Sequence, residues 1–238
     1  MIRNRESVVA VVLAAGSGSR MNGIDKMMAP LDGRPVLEWS LSVLDACDEI
    51  DAIQLVVPDQ DDELLTGVGR AAVRQSEFRV CSGGPSRAFS ALYGLRAASD
   101  GEFEWAVVHD GARPFLTADI VISGLEAAYI SGAAIAAVPA TDTVQISDEE
   151  GFIVESPPRR IVWMAQTPQV ARLRMLLDAH ERLHDRLGEF TDEASVLREI
   201  GHDVAISEGS YSNVKIATAE DLAMAEFTID RLHSRQKA

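Results

Sequence analysis

The sequence is short of cysteine, of positive charge and of long apolar runs, and each shortage narrows what the protein can be. Its two cysteines, Cys47 and Cys81, are too few for a disulfide framework and stand in no Cys-x-x-Cys metal pattern. Two reduced thiols are typical of a cytoplasmic protein. The 37 Asp and Glu residues outnumber the 22 Lys and Arg residues, for a net charge of −15. No nucleic-acid partner is therefore expected, because nucleic-acid-binding proteins present basic faces.

Long apolar runs are missing as well. None approaches the ~20 residues that a membrane-spanning helix needs, so the sequence predicts no membrane partner. The first apolar run, residues 8–14, follows a basic start and could be read as part of a signal peptide. We favour a buried strand, because removal of this run would also delete the Gly-rich loop that follows it.

The order of apolar runs and helical patterns predicts an α/β fold. Runs typical of buried strands lie at residues 8–14, 53–57, 78–81, 105–109 and 133–138. Helical patterns lie between them at residues 35–46, 61–74, 87–98 and 117–131. Such alternation favours a mostly parallel, doubly wound sheet with helices on both faces. Ligands then bind beyond the carboxyl ends of the strands, so the loops after Ala14, Cys81 and His109 should lie on one rim.

After Val138 this alternation stops. Residues 140–162 predict a short hairpin that turns at residues 149–151, and we interpret it as a β-arm projecting from one domain that spans residues 1–238. Further on, the patterns predict helices at residues 171–187 and from Thr191, and strands at residues 204–207 and 214–216. A last helix should begin at Ala219, since Thr218 and Asp221 resemble a capping box.

Three segments carry residue types suited to phosphate chemistry. In the loop LAAGSGSRM, Gly16 and Gly18 let backbone N–H groups approach phosphates, and Arg20 and the later Lys26 add positive charge. Asp110 ends an apolar strand on the predicted rim, where a carboxylate is well placed to hold Mg²⁺.

The third segment is Asn213-Val214-Lys215, which brings another lysine near a strand edge. Asp110 and Lys215 also have simpler interpretations. Asp110 could instead pair with Arg113 and close the turn between them. Lys215, in Asn-Val-Lys near the tail, is by itself an ordinary surface lysine.

Other motifs have better structural explanations. His180 and His184 fit H-E-x-x-H, but Arg182 places a cation inside the motif and no third zinc ligand follows, so a charged solvent face of an amphipathic helix is favoured over a zinc site. Residues 84–88 partly match the nucleophile elbow of α/β-hydrolases. The loop at residues 16–21 lacks the third glycine of a dinucleotide motif, and the sequence contains no Walker motif.

Taken together, the ordered motifs resemble the 2-C-methyl-D-erythritol 4-phosphate cytidylyltransferase family. In its order and approximate spacing the chain has LAAGSGSRM and a later Lys, SGGxxRxxS, VHDGARPF, TDT, WMAQTPQ, TDEAS and NVKIATAEDL. The resemblance runs from Val8 to about Phe227. The related ribitol 5-phosphate cytidylyltransferases, which make CDP-ribitol, share much of this set and remain the alternative.

The resemblance implies a nucleotide-diphospho-sugar-transferase-like fold and a reaction in which a sugar-alcohol phosphate attacks the α-phosphorus of CTP and releases pyrophosphate. It also implies roles for individual residues. The matched catalytic cations are Arg20, Lys26 and Lys215. The matched CTP positions are Ala14, Ala15, Gly16, Gly18, Gly84 and Ser90. The matched acceptor positions are Asp110, which also binds the metal, Arg113, Thr143 and Arg159.

The family is homodimeric, so Thr143 and Arg159 in the β-arm are expected to reach the acceptor of a neighbouring subunit. Several residues depart from the family pattern. Asp25 and Met27 flank the matched lysine in place of Pro and Gln, Pro85 and Phe89 replace common polar residues, and Gln145 stands where Lys is frequent. Asp25 must either point away from the phosphates or weaken the site.

Overall fold

The computed structural model of the chain describes residues 6–16, 25–59 and 62–236, with side chains up to residue 231. In these ranges strands and helices alternate through most of the chain. The strands are β1 (Val8–Leu13), β2 (Pro30–Leu31), β3 (Arg34–Pro35), β4 (Ala52–Val57), β5 (Glu77–Ser82), β6 (Trp105–Asp110), β7 (Ala133–Pro139), β8 (Ile146–Ser147), β9 (Ile153–Glu155), β10 (Trp163–Arg172) and β11 (Ala205–Glu208). The α-helices are α1 (Val36–Ala46), α2 (Glu63–Ala72), α3 (Arg87–Ala98), α4 (Ala118–Ser131), α5 (Leu173–Arg182), α6 (Glu193–Glu199) and α7 (Ala219–Gln236).

The central sheet has seven strands in the order β11-β7-β10-β6-β1-β4-β5. Pairing is parallel except at β10, which runs antiparallel to both of its neighbours, β6 and β7. The predicted mostly parallel sheet is therefore confirmed. Its five predicted N-terminal strands agree with the structure within a residue at each end.

Alternation along β1 shows why the sheet carries helices on both faces. Val8, Ala10 and Val12 pack into one hydrophobic core with α1, α2 and α4. Val9, Val11 and Leu13 pack into the other with α3, α5 and α6. A strand with two buried faces needs apolar side chains at every position, which is the continuous run seen in the sequence. The doubly wound architecture is confirmed.

The prediction for the C-terminal half was wrong at β10. No strand was predicted at residues 163–172, and a helix was expected to begin at Ala171. A proline within an apolar segment is uncommon in a central strand, which weakens the strand pattern here. The register shifts between Ala165 and Gln169, and this irregularity accommodates Pro168 without a ladder hydrogen bond. The helix begins two residues later than predicted and ends at Arg182, with a 3-10 helix over His184–Glu189.

Smaller differences have local causes. Residues 214–216 form no strand within the described chain; Ile216 only donates one backbone hydrogen bond to the carbonyl of Ala112. The hairpin of β2 and β3 was not predicted, although Asp32-Gly33 between them is a hairpin-turn signal, and both residues have positive φ, 52° and 74°.

The β-arm, residues 140–162, contains the predicted hairpin of β8 and β9, which is followed by a 3-10 helix at Arg159–Ile161. Every residue of β8 and β9 is exposed. The capping box of α7 is also present: Thr218 and Asp221 each bond the other's backbone N–H. None of the helices in the described ranges has the length and apolar character that a membrane crossing requires.

Candidate active site

The rim predicted from the strand order holds a cavity of about 550 Å³. The loops after β1, β5 and β6 all contribute to its lining, as the prediction required. Of the residues expected to hold the nucleotide, Ala15, Gly16, Gly84 and Ser90 line it, as does the expected cation Lys26. Ala14 does not line it; this residue is buried and donates its N–H to Val56. Gly18 and Arg20 lie outside the described residues.

Close backbone approach explains the small residues at this rim. A Cβ on Gly83 would lie 2.3 Å from Cβ of Ala15, so the loops after β1 and β5 can touch only because residue 83 is glycine. At Gly16 a Cβ would lie 3.5 Å from Nζ of Lys26. The Lys26 amine therefore lies beside the Gly-rich loop, where the sequence analysis expected phosphate.

The acidic neighbour of Lys26 points into its own turn. Oδ1 of Asp25 accepts the backbone N–H of Met27 at 2.9 Å, and its carbonyl accepts that of Met28. Met27 is buried in the core. Of the two possibilities raised by the sequence, the structure therefore supports the one in which Asp25 is turned away from the phosphates.

The loop after β5 is held by its own serines. Oγ of Ser90 accepts the N–H of Gly84 at 3.1 Å, and Ser86 caps α3 by accepting from Phe89. Pro85 lines the cavity, whereas Phe89 packs against the hydrophobic core and the ring of His184. Ser86 is therefore a helix cap at the position where a hydrolase would carry its nucleophile.

At the end of β6, Asp110 is surrounded by cations. Its Oδ1 accepts from Nε of Arg87 at 2.9 Å and its Oδ2 from Nζ of Lys215 at 2.6 Å, while Nε of Arg113 lies 4.0 Å away. Burial raises the pKa of this carboxyl, but Arg87 and Lys215 outweigh burial and hold its pKa well below the usual range. Asp110 is therefore a carboxylate at any physiological pH.

Arg87 also contacts a second carboxylate. Its two terminal nitrogens donate to the two oxygens of Glu193, at 2.8 and 3.0 Å. The Glu193 side chain is 2% exposed and that of Asp110 is 8% exposed, so the guanidinium bridges two buried acids. We call Arg87, Asp110, Arg113, Glu193 and Lys215 the strand-end cluster.

A buried histidine supports the Asp110 backbone. Thr167 Oγ1 accepts the N–H of Asp110 at 3.1 Å and lies 3.0 Å from Nδ1 of His109. Burial lowers the pKa of His109 to about 3, so the ring is neutral and Nδ1 can accept the Thr167 hydroxyl proton. The chain from His109 through Thr167 to Asp110 fixes the strand end.

The tail segment that carries Lys215 is anchored by Asn213. The buried side-chain amide of Asn213 donates to the backbone carbonyl of Thr167 at 2.9 Å, and the backbone carbonyl of Asn213 accepts from Arg113 at 2.7 Å. The simpler interpretation of Lys215 as an ordinary surface lysine is therefore wrong. The Asp110–Arg113 pair exists, but at 4.0 Å it is the longest of the three cation contacts.

A second cavity of about 180 Å³ adjoins the first. Arg87, Asp110, Thr191 and Lys215 line both cavities, and Arg113 lines only the smaller one. These four side chains are thus the boundary across which two bound molecules would meet.

The donor set at this boundary suits a hard cation only together with a ligand. Within the described ranges, no group of three or more His, Cys, Asp or Glu side chains is arranged so that it could hold a metal ion. Both oxygens of Asp110 already accept from cations. Mg²⁺ is commonly held by one or two carboxylates plus substrate phosphates, so Asp110 fits such an ion once phosphate oxygens supply the remaining ligands.

Thr143 and Arg159 are not brought to this site. Both are exposed in the β-arm, and Arg159 donates to the carbonyl of Thr141 at 2.8 Å. Neither lines either cavity as the described residues form them.

The H-E-x-x-H segment is only in part the charged solvent face that was predicted, because one of its histidines is buried. His180 is buried, with Nδ1 2.8 Å from the carbonyl of Leu176, while His184 is half exposed in the following 3-10 helix. The two rings therefore belong to different helical segments.

Five residues of the site were not predicted: Phe190, which lines the larger cavity, and Arg87, Thr167, Thr191 and Glu193. Arg87 and Glu193 stand inside the quoted motifs SGGxxRxxS and TDEAS. Each is also the first residue of its helix. The signal was present in the motifs, but only the fold shows that these two residues meet.

Comparison with known proteins agrees with this geometry. A family model described as 2-C-methyl-D-erythritol 4-phosphate cytidylyltransferase matches residues 8–231. A protein of that name from Dehalococcoides mccartyi (strain ATCC BAA-2266 / KCTC 15142 / 195) is 39% identical over 226 residues, which cover 95% of this chain and 97% of the relative. Another from Caldanaerobacter subterraneus subsp. tengcongensis is 35% identical over 222 residues, 92% of this chain and 97% of the relative. The crystal structure of 4-diphosphocytidyl-2C-methyl-D-erythritol synthase from Anaerococcus prevotii superposes with a TM-score of 0.84 at 30% identity, covering 94% of this chain and 96% of that one.

Proposed function

Because the chain belongs to the 2-C-methyl-D-erythritol 4-phosphate cytidylyltransferase family, we propose that its two adjoining cavities hold CTP and the acceptor phosphate side by side. The reaction is transfer of a cytidylyl group from CTP to 2-C-methyl-D-erythritol 4-phosphate, which gives 4-diphosphocytidyl-2-C-methyl-D-erythritol and pyrophosphate in isoprenoid precursor biosynthesis. The relatives reported above carry the name of this enzyme and none that of a ribitol 5-phosphate cytidylyltransferase.

The observation that carries the proposal is the boundary at which Arg87, Asp110, Thr191 and Lys215 line both cavities. CTP occupies the larger one, with its phosphates at Gly16 and Lys26, and the acceptor occupies the smaller one, with Arg113 on its lining. An acceptor phosphate oxygen then attacks the α-phosphorus at the boundary formed by Arg87, Asp110 and Lys215.

Catalysis at this boundary consists of positioning the two substrates and stabilising the charge that develops between them. Charge builds on the phosphoryl oxygens as the pentacovalent phosphorus forms, and Lys26 and Lys215 face that charge from two loops. The third cation in this proposal is Arg20, which belongs to the Gly-rich segment LAAGSGSRM.

Mg²⁺ is part of the proposal. The Asp110 carboxylate would hold it together with phosphate oxygens of CTP, and the bound ion would neutralise developing negative charge.

The assembly we propose is a homodimer joined through the β-arm. Ile146, Phe152, Ile153, Val154 and Ile161 expose apolar side chains there, between 44% and 69% of their surface. A two-stranded hairpin is marginal alone in water, so a second copy that covers these side chains would stabilise it. Thr143 and Arg159 would then reach the acceptor in the smaller cavity of the partner subunit. Neither residue lines a cavity of its own subunit as the described residues form them.

We also propose a cytoplasmic enzyme without a nucleic-acid partner. The two cysteines of the sequence, Cys47 and Cys81, are too few for a disulfide framework, and the net charge of −15 opposes binding to a polyanion.

Pyrophosphate release tests the reaction directly. The purified protein is supplied with CTP and either 2-C-methyl-D-erythritol 4-phosphate or ribitol 5-phosphate, with UTP in place of CTP as a control for the base. We expect release with CTP and the methylerythritol acceptor. Release that is faster with ribitol 5-phosphate would overturn the acceptor assignment, and no release with any pair would overturn the reaction.

A further inference from the structure

The proposed reaction assigns no role to Glu193. Its side chain is nevertheless almost fully buried and contacts Arg87, which lines both cavities. Its two oxygens accept from both terminal nitrogens of Arg87, and only Nε of Arg87 donates to Asp110. Burial of a carboxylate is unfavourable unless it is paired and its hydrogen bonds are satisfied, as those of Glu193 are by Arg87. Because Arg87 lines both cavities, Glu193 can act on the site through Arg87 without lining either cavity itself.

The position of Glu193 is fixed from the central sheet. Gln169 of β10 accepts the N–H of Ala194 at 2.8 Å and donates to Oδ2 of Asp192 at 3.3 Å. Asp192 in turn caps α6 by accepting from Ser195. Residues on both sides of Glu193 are thus tied to β10, so the carboxylate is held at a defined place relative to Asp110 on the neighbouring strand β6.

This fixed carboxylate determines how Arg87 meets Asp110. A guanidinium offers a planar fork that binds one carboxylate with two parallel hydrogen bonds. Glu193 occupies that fork, which leaves Asp110 a single contact from Arg87 and keeps Oδ2 for Lys215. With no charge at residue 193, the fork of Arg87 would be free to turn onto Asp110 and draw the carboxylate away from Lys215.

We propose that Glu193 is a positioning residue for cytidylyl transfer, which holds Arg87 in a two-point contact and thereby sets the orientation of Asp110 toward Lys215 and the substrates. The proposal rests on the reaction given above. It assigns to the acid of the TDEAS segment a role exerted through Arg87, without contact with either substrate.

Glu193→Gln tests it, with Glu199→Gln as the matched control. Glu199 ends the same helix and pairs with Arg186 on the surface, so its substitution removes the same charge from α6 without touching the cavities. We expect Glu193→Gln to lower kcat by about 10-fold to 100-fold through misplacement of the reacting groups. The dissociation constant of CTP without acceptor should stay within about twofold, because CTP binding does not need Asp110 in its reactive orientation. Glu199→Gln should leave both unchanged.

A double-mutant cycle separates positioning from mere structural support. If Glu193 acts through Asp110, Glu193→Gln should cost little further turnover in an Asp110→Asn background, because residues that act as a unit are not additive. Losses that multiply would overturn the proposal, as would unchanged kcat in folded Glu193→Gln protein. Should this variant lack a cooperative unfolding transition, Arg87→Lys, which keeps the charge but loses the fork, takes its place in the same cycle with the same two outcomes. Activity of the wild-type protein in the parallel assay keeps failure of this idea distinct from failure of the reaction.

Discussion

The strand-end cluster and the β-arm are held in opposite ways. In the cluster, Asp110 and Glu193 are buried and each oxygen of both carboxylates accepts from a cation of the same subunit. In the β-arm, β8 and β9 are wholly exposed and Arg159 bonds only a backbone carbonyl among the contacts described for it. The difference agrees with the proposal that one subunit preorganises the chemistry at its strand ends, whereas the arm binds substrate only when it lies against a second copy of the chain.

Of the changes considered, metal removal should have the largest effect on turnover, because it acts at the strand-end cluster. Asp110 offers one carboxylate and needs phosphate oxygens to complete a Mg²⁺ site, so EDTA should abolish turnover and added Mg²⁺ should restore it. The purified protein should contain no stoichiometric zinc by elemental analysis, since His180 and His184 lie in different helical segments. Full activity in EDTA would contradict the metal assignment.

Lys26→Ala should have the next largest effect. Removal of a preorganised donor to developing charge costs on the order of 10²–10³ in turnover, while CTP binding should weaken far less. Steady-state kinetics and CTP titration measure the two quantities. Asp25→Ala is the control, because that carboxylate bonds the backbone of its own turn and its loss should leave turnover nearly intact. Near-normal turnover in Lys26→Ala would show that this lysine does not face the reacting phosphates.

A smaller effect is expected when the arm loses apolar surface. Ile153→Ser should raise the dimer dissociation constant about tenfold or more, because a covered isoleucine contributes about 1.5–3 kcal/mol. Sedimentation velocity over a concentration series measures it. Ile130→Ser is the control: Ile130 is 90% exposed on α4, outside the arm. Equal behaviour of the two variants would mean that the arm does not form the interface.

The comparison also explains which parts of the molecule could be predicted from sequence. Strands with two buried faces, such as β1 and β6, can be recognised in the sequence as continuous apolar runs. Their order along the chain predicted that Asp110 and the Gly-rich loop lie on one rim. Strand β10 escaped prediction because Pro168 masks it. The ion pair of Arg87 and Glu193 was not predicted because the two residues are 106 positions apart in the sequence. Local sequence patterns carry no information on contacts across that separation.

The most direct test of the account is whether the arm of one subunit completes the site of another. Lys26→Ala and Arg159→Ala proteins are prepared separately, each expected to be nearly inactive, and equal amounts are mixed under conditions in which fluorescence energy transfer demonstrates subunit exchange. In a mixed dimer one site receives both the intact Lys26 and the partner's intact arm, so turnover should recover to about a quarter of wild type with random pairing in a two-fold symmetric dimer. Exchange without recovery would contradict the account, because Arg159 would then serve the site of its own subunit.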